Sequence, residues 1–188
     1  MRIIIAVAIC FIASSCFRRS SDSPMLDQRY RLALQYIVAD SSRYSARLSE
    51  DLKSAGIRVS DTLYCAHLEF FLEEVFEIEY GKYGPDNPLA RDFYKREYHR
   101  YRNCQGRSLS ELADLSDSAG PEIAVFFSEI MHDVLPRRSG ISVEVVPHYP
   151  GEPDFKRFIS SNLTSYEYMF IFDSSGRMDT VLAKMVRR

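Results

Sequence analysis

The sequence predicts an α+β fold, with N-terminal helices packed on one face of a largely antiparallel four-stranded sheet. Two observations lead to this prediction. Apolar residues recur with helical spacing over residues 25–102, whereas strand-like runs and turn residues dominate residues 123–186. A chain of 188 residues, 46% hydrophobic and 27% charged, suits one soluble core and excludes a multi-span membrane protein. We therefore treat residues 25–188 as a single domain.

The first fifteen residues are typical of a signal peptide. The apolar run Ile3–Ala13 is shorter than the roughly 20 residues that a bilayer-spanning helix needs. It ends in Ala13-Ser14-Ser15-Cys16, which resembles the lipobox of bacterial lipoproteins. The resemblance implies that Cys16 is acylated and becomes the first residue, with residues 16–24 as a short tether. Two or more acyl chains, palmitate for example, would anchor the domain stably to the membrane; an ordinary secreted protein and an uncleaved anchor are the alternatives.

The segments Ile57–Thr62, Phe126–Ile130 and Tyr168–Gly176 resemble parts of small lipoproteins of Bacteroidota. Three triplets join Asp to Thr or Ser and an apolar residue, as in the O-glycosylation site of exported proteins of that phylum: Asp61-Thr62-Leu63, Asp117-Ser118-Ala119 and Asp179-Thr180-Val181. The resemblance implies a cell-envelope location, at the inner or outer membrane, and a glycan on Ser118. It implies no particular activity.

The first helical segment is Met25–Ala55, followed by a strand. Its apolar residues form one stripe, at Leu26, Tyr30, Leu34, Ile37, Tyr44, Leu48 and Leu52. The run Asp40-Ser41-Ser42 suits a helix N-terminus, so one long helix and two shorter ones both remain open. Gly56 ends the helix. The alternating, β-branched run Ile57–Tyr64 then predicts a strand.

Two helices of opposite charge come next. The segment Ala66–Tyr80 carries a row of glutamates and no Lys or Arg, whereas Leu89–Arg102 is rich in Arg. A breaker run containing Gly84 and Pro85 separates them. The sequence therefore predicts an antiparallel helix pair whose acidic and basic sides face each other.

Cysteines flank this helix pair. Cys65 precedes the acidic helix and Cys104 follows the basic one, so an antiparallel return brings them together. Adjacent helix axes lie about 8–10 Å apart, near enough for small adjustments to reach the roughly 5–6 Å Cα separation that a disulfide needs. We predict a Cys65–Cys104 disulfide; two buried free thiols are the alternative.

The C-terminal third predicts the sheet. Ile123–Ile130 and Ile141–Val146 are strand-like, and Asp154–Asn162 fits a short helix. Tyr166–Phe172 and Arg177–Val186 flank Asp173-Ser174-Ser175-Gly176, a sequence suited to a tight turn. These runs predict four strands that end in a hairpin.

No known catalytic or cofactor motif is present in the sequence. Dinucleotide, phosphate-loop, zincin and α/β-hydrolase signatures are missing, and the four histidines have no metal-ligand spacing. A net charge of −2 gives no overall attraction to nucleic acid. We therefore expect no cofactor, no metal site and no nucleic-acid partner.

The basic helix contains the candidate contact surface. It combines cationic and aromatic side chains, which dominate protein interfaces and can also clamp an anionic glycan: Arg91, Tyr94, Lys95, Arg96, Tyr98, Arg100 and Arg102. The plainer interpretation is that the tyrosines pack in the core and the arginines are solvated. With this surface, the chain is predicted to be an envelope binding, accessory or immunity protein.

The rival prediction is an envelope hydrolase. His132 and Asp133 follow a predicted strand, and Glu129 lies three residues earlier, so a carboxylate could orient the imidazole. Neighbouring residues of a strand point to opposite faces, which weakens this grouping. We favour a non-enzyme.

Overall fold

The computed structural model describes residues 27–39, 56–84, 86–116, 123–147, 153–154, 156, 158 and 163–187. The signal peptide, Cys16, the tether, Ser118, residues 40–55 of the first helical segment and most of the predicted helix Asp154–Asn162 lie outside the described residues. The helices are α1 (Gln28–Ala39), α2 (Leu72–Tyr80) and α3 (Pro88–Asn103), with 3₁₀ turns at Leu68–Phe70 and Ser110–Leu115. The strands are β1 (Ile57–Val59), β2 (Thr62–Leu63), β3 (Arg107–Ser108), β4 (Ile123–Phe127), β5 (Met131–Leu135), β6 (Arg138–Val146), β7 (Thr164–Phe172) and β8 (Met178–Arg187).

The fold is α+β, as predicted, but the main sheet has six strands instead of four. Its order is β1-β4-β6-β7-β8, with β5 also paired to β6, and every pairing is antiparallel except β1 with β4. Strand β5, which was not predicted, forms a hairpin with β6, and Pro136 and Arg137 are its turn residues. Arg137 has φ of 60°, which a type II turn requires after a proline. Pro136 and Arg137 thus reverse the chain within the sheet.

Helices cover both faces of the sheet, so the prediction of a single covered face is wrong. On one face, α1 packs Tyr30 and Ile37 with the β4 residues Val125 and Phe127. On the other face, α2 and α3 join the cluster that contains Phe126. The reason lies in β4 itself, where all five residues are apolar and buried. A strand that is apolar on both sides needs a packed layer on each.

The predicted strand Ile57–Tyr64 is divided between two sheets. β1 joins the main sheet, whereas β2 pairs with β3 in a separate two-stranded ribbon. Ser60 marks the break, because its hydroxyl accepts a hydrogen bond from the Thr62 N–H at 3.2 Å. The ribbon is tight: a Cβ atom at Gly106 would lie 2.6 Å from the Leu63 carbonyl oxygen. Only glycine fits there.

The predicted hairpin of β7 and β8 is confirmed. Asp173 closes its turn by accepting hydrogen bonds from the Ser175 N–H and hydroxyl and from the Arg177 N–H. These bonds, led by the one from the Ser175 hydroxyl, lower the pKa of Asp173 to about 2. The turn is therefore stabilised by a charged carboxylate at neutral pH.

Candidate binding surface

Helix α3 has clear start and stop signals. Asn87 caps it by accepting a hydrogen bond from the Leu89 N–H at 3.0 Å, and Pro88 occupies the first helical position. At the other end, the Cys104 N–H donates to the Arg100 carbonyl oxygen at 3.1 Å. The predicted basic helix is confirmed, and its boundaries differ from the prediction by one residue at each end.

The buried side of α3 is not the side that carries its tyrosines. Ala90, Phe93 and Glu97 face the protein interior. The tyrosines are among the most exposed large side chains described: Tyr94 is 46%, Tyr98 44% and Tyr101 41% exposed. The interpretation that they pack in the core is therefore wrong. Phe93 takes that place because its ring meets Phe76 of α2 at 5.6 Å between centroids.

The exposed side of α3 carries a row of stacked aromatic and cationic groups. The rings of Tyr94 and Tyr98 stack at 6.4 Å between centroids with 13° between their planes. The Arg102 guanidinium lies 5.5 Å from the centre of the Tyr98 ring. At 100° per residue, the other members fall on the same side of the helix. We call this surface the α3 flank, formed by Arg91, Tyr94, Lys95, Tyr98, Tyr101 and Arg102.

Two arginines predicted to belong to this surface lie elsewhere. Arg96 is exposed but stacks on the Phe93 ring, 5.3 Å from its centre, on the opposite side of the helix from Tyr94. Arg100 forms an ion pair with the buried Glu97 at 2.8 Å and donates to the Ala66 carbonyl oxygen at 2.9 Å. Arg100 is therefore structural. Five of the seven predicted residues thus lie together on the α3 flank, and Tyr101, which was not among them, lies there too.

The acidic helix α2 does not neutralise α3, so the predicted pairing of acidic and basic sides is wrong. Two of its carboxylates pair with cations of the sheet instead. Glu74 pairs with Lys184 of β8, and Glu79 pairs with Arg138 of β6 at 3.1 Å. Within the described part of the chain, no ion pair joins α2 to α3. The cations of the α3 flank therefore have no carboxylate partner among these residues.

The predicted disulfide is confirmed. Cys65 and Cys104 are joined with their Cα atoms 5.8 Å apart. The Gly106 N–H donates to the Cys65 sulfur at 3.0 Å. The bond fixes the C-terminal end of α3 to the chain that enters α2. The α3 flank is thus fixed at its C-terminal end.

A cavity opens beside this end of α3. It measures about 710 Å³ and is bordered by Tyr64, Cys65, Tyr101, Gly106 and Lys156, among others. Tyr101 also contacts the His67 ring at 5.0 Å between centroids. The α3 flank therefore ends beside this cavity, at Tyr101.

The residues of the predicted hydrolase do not assemble into a catalytic group. Glu129 pairs with Arg107 at 3.0 Å. His132 and Asp133 are both exposed and border a groove of about 490 Å³. No hydrogen bond or ion pair connects the three residues within the described ranges. In the same groove, Arg29 hydrogen-bonds the Asp27 carboxylate, and this bond holds the pKa of Asp27 below its ordinary value.

A buried polar chain was missed by the sequence analysis. Tyr64 donates a hydrogen bond to the Ser142 hydroxyl at 3.1 Å, and that hydroxyl donates to the Glu167 carboxylate at 3.0 Å. Glu144 lies opposite Glu167 on the neighbouring strand, and both residues are buried. Alternation along each strand would place such glutamates on a face exposed to solvent. They are buried because this second face of the sheet is covered as well.

Comparison with known proteins finds no match: no protein-family model, no curated protein and no solved structure is significantly similar to this chain. Among the described helices, none is long and apolar enough to cross a membrane. Within the same residues, His, Cys, Asp and Glu side chains form no group of three or more that could hold a metal ion. The chain is an α+β protein whose distinguishing surface is the α3 flank.

Proposed function

We propose that the chain is a cell-envelope lipoprotein, anchored to the membrane through acylated Cys16, that acts by binding a partner through the α3 flank. It serves as a binding, accessory or immunity protein and not as an enzyme. The lipobox-like sequence before Cys16 supports the anchor. The stacked, exposed row of Tyr94, Tyr98 and Arg102 is the observation that carries the binding role.

Exposed Tyr and Arg side chains are typical of interface hot spots. A tyrosine adds large contact area and loses little conformational entropy when it binds, and the arginine guanidinium forms two hydrogen bonds to a carboxylate. Stacking of Tyr94 on Tyr98 restricts both rings before any partner arrives, which lowers the entropic cost of binding. The rings of Tyr94 and Tyr98 are thus pre-organised for binding.

Charge indicates the kind of partner. The α3 flank carries three cations, Arg91, Lys95 and Arg102, and no acidic residue, within a chain whose net charge is −2. Such a local excess attracts an acidic surface and steers its approach. We propose an acidic protein of the envelope as the partner. An anionic glycan that meets the same cations and rings is the other outcome of the test below.

The binding experiment uses the full-length chain in native envelopes. Crosslinking and mass spectrometry should capture a reproducible protein partner from wild type. The double variant Arg91→Glu/Lys95→Glu should abolish the capture, because it reverses two charges of the α3 flank. Arg96→Glu is the matched control, since Arg96 is exposed on the same helix but lies off the flank. Equal loss in the control, or unchanged capture in the double variant, would show that the flank is the wrong surface.

The anchor has its own experiment. Cells that express wild type and are fed labelled fatty acid should transfer the label to this protein, and Cys16→Ala should remain unlabelled and uncleaved. Cys10→Ala is the control, because Cys10 lies within the apolar run and should leave labelling intact. A mature form that begins at another residue would contradict lipidation at Cys16.

A further inference from the structure

Three consecutive residues of the chain that enters α2 hold the last turn of α3. They make a disulfide, a hydrogen bond and a ring contact, in that order: Cys65 with Cys104, Ala66 with Arg100 and His67 with Tyr101. Beyond Arg100, no hydrogen bond or ion pair of the described chain joins α3 to another element. The end of the helix is therefore held by one ring contact and one covalent bond.

Two members of the α3 flank, Tyr101 and Arg102, lie in this last turn. The other members lie in the preceding turns, which Phe93 and Glu97 fix to the interior, each with only 2% of its surface exposed. A helix end unfolds locally when few contacts hold it. Breaking the disulfide should therefore loosen Tyr101 and Arg102 and leave the rest of the α3 flank in place.

The two sulfurs of the disulfide differ in their surroundings. Both cysteines are only partly buried, and the residues that follow, Gln105 and Gly106, are exposed. The Gly106 N–H donates to the Cys65 sulfur at 3.0 Å, and a hydrogen bond to the charged form of a group stabilises that form. Cys104 caps the C-terminal end of α3, where the helix dipole disfavours negative charge. Cys65 is therefore the better leaving group when the bond is attacked.

We propose that the Cys65–Cys104 disulfide is a redox switch of the α3 flank, reduced by a protein dithiol of the Cys-x-x-Cys class. This role rests on the proposed function, because the α3 flank is the surface that the switch controls. One thiolate of the dithiol attacks the Cys104 sulfur, the bond to Cys65 breaks, and Cys65 leaves as a thiolate that accepts a hydrogen bond from the Gly106 N–H. The second thiolate of the dithiol then attacks the dithiol sulfur of this mixed disulfide and releases Cys104. Two electrons and two protons pass from the dithiol to the two cysteines, and the dithiol becomes a disulfide.

Reduction should weaken binding by the α3 flank without abolishing it. A side chain that is already ordered binds at a lower entropic cost than a mobile one. Once the disulfide is broken, Tyr101 and Arg102 must be ordered by the partner, so the affinity falls. Arg91, Lys95 and Tyr98 keep their places and still contact the partner. We expect several-fold weaker binding in the reduced state.

The first test identifies the attacked sulfur in the full-length chain. The probe is thioredoxin whose second active-site cysteine is replaced by serine, because this variant cannot resolve the mixed disulfide. Peptide mass spectrometry should find the probe on Cys104, and thioredoxin that lacks both active-site cysteines is the control. A probe found on Cys65 would overturn the assigned order of attack. Unaltered thioredoxin that leaves the disulfide intact would overturn the switch.

The second test measures the loosening without any partner. The full-length chain is reduced, alkylated with iodoacetamide and compared with the oxidised chain by hydrogen–deuterium exchange. The amides of residues 101–104 should exchange several-fold faster after reduction, whereas those of residues 93–98 should keep their rates. Cys65→Ser/Cys104→Ser should behave like the reduced chain. Unchanged exchange, or an equal increase along all of α3, would overturn a local switch.

The third test measures binding by the capture experiment in native envelopes. The reduced and alkylated chain should capture several-fold less of the partner than the oxidised chain. Cys65→Ser/Cys104→Ser should match the reduced chain, with or without reductant. Equal capture by the oxidised and reduced chains would overturn the switch and leave the binding role intact. No capture by the oxidised chain would contradict the proposed function instead, and the exchange experiment would then decide the switch by itself.

Discussion

Helices α2 and α3 are neighbours of opposite charge that use their charges differently. They meet through aromatic rings, with Phe93 of α3 lying 5.6 Å from Phe76 and 6.3 Å from Tyr80 of α2. Two carboxylates of α2, those of Glu74 and Glu79, pair with cations of the sheet, whereas the cations of the α3 flank remain exposed. The comparison shows that charge pattern alone does not decide how two helices face each other.

The free energies of ion pairing and of aromatic burial explain why the two helices meet through their rings. An exposed ion pair contributes about 0–1 kcal/mol, whereas burial of one aromatic side chain contributes several times more. The helices therefore orient to bury Phe76 and Phe93, and the charges pair with whatever then lies near. For α2 that neighbour is the sheet. For α3, no ion pair within the described chain reaches Arg91, Lys95 or Arg102, which leaves the charge of the α3 flank available to a partner.

The largest effect is expected from the aromatic contact itself. Phe93→Ala should lower the free energy of unfolding by about 3–5 kcal/mol, because it leaves a cavity between α2, α3 and the sheet. Urea denaturation of the full chain measures this value. Tyr94→Ala is the control at the next position and should cost less than about 1 kcal/mol, since Tyr94 is 46% exposed. Equal losses would mean that the two sides of α3 had been assigned wrongly.

The disulfide should rank next. Replacing both Cys65 and Cys104 by Ser should cost about 3–4 kcal/mol, because the bond closes a loop with a sequence separation of 39 in the unfolded chain. The same denaturation experiment, with and without reductant, gives the difference. Reductant should shift wild type and leave the double variant unchanged. A wild type that does not respond would contradict a stabilising role for the bond.

Variants of Arg100 and Arg96 compare a structural cation with an exposed cation on the same helix. Arg100→Ala should cost about 2–4 kcal/mol, because it leaves Glu97, which is 2% exposed, without its ion-pair partner. Arg96→Ala should cost less than about 1 kcal/mol, since its guanidinium lies on the surface over Phe93. Adding Glu97→Leu to an Arg100→Leu variant should recover most of the loss. Failure to recover would place the cost in packing and not in the buried charge.

Local signals account for what the sequence analysis predicted well. Helix α3 was predicted to within one residue at each end because the breaker run before it and the spacing of its side chains are both local signals. The β7–β8 hairpin followed from Asp173 and Gly176, which determine their own turn. The Cys65–Cys104 bond followed from the lengths of two adjacent helices.

Non-local packing accounts for what was missed. No local pattern shows that β1 pairs in parallel with β4, more than 60 residues later. The tyrosine spacing of α3 resembles a buried stripe, and only the position of Phe76 on another helix reveals that Phe93 is buried instead. Glu144 and Glu167 alternate like solvent-facing residues, yet α2 and α3 cover their face of the sheet.

A small effect is expected from the charges of α2. Lys184→Ala removes the ion pair with Glu74, in which both side chains are about 40% exposed, and should cost about 0.5–1 kcal/mol. The loss should shrink in high salt, because partly exposed charges are screened. Thermal unfolding at two salt concentrations measures it. A loss as large as that of Phe93→Ala would mean that charge, and not apolar packing, positions α2.

The smallest effect on stability is expected where the effect on binding is largest. Arg91→Glu/Lys95→Glu should change the free energy of unfolding by less than about 0.5 kcal/mol. The two positions are four residues apart, so a repulsive pair of cations is replaced by a repulsive pair of anions of similar cost. An acidic residue at position 91, near the start of α3, also interacts favourably with the helix dipole. Denaturation measures the stability, and the crosslinking experiment in native envelopes measures the binding. Loss of capture at unchanged stability separates the α3 flank from the fold, whereas a loss of more than about 1 kcal/mol would show that these cations, like Arg100, serve the structure.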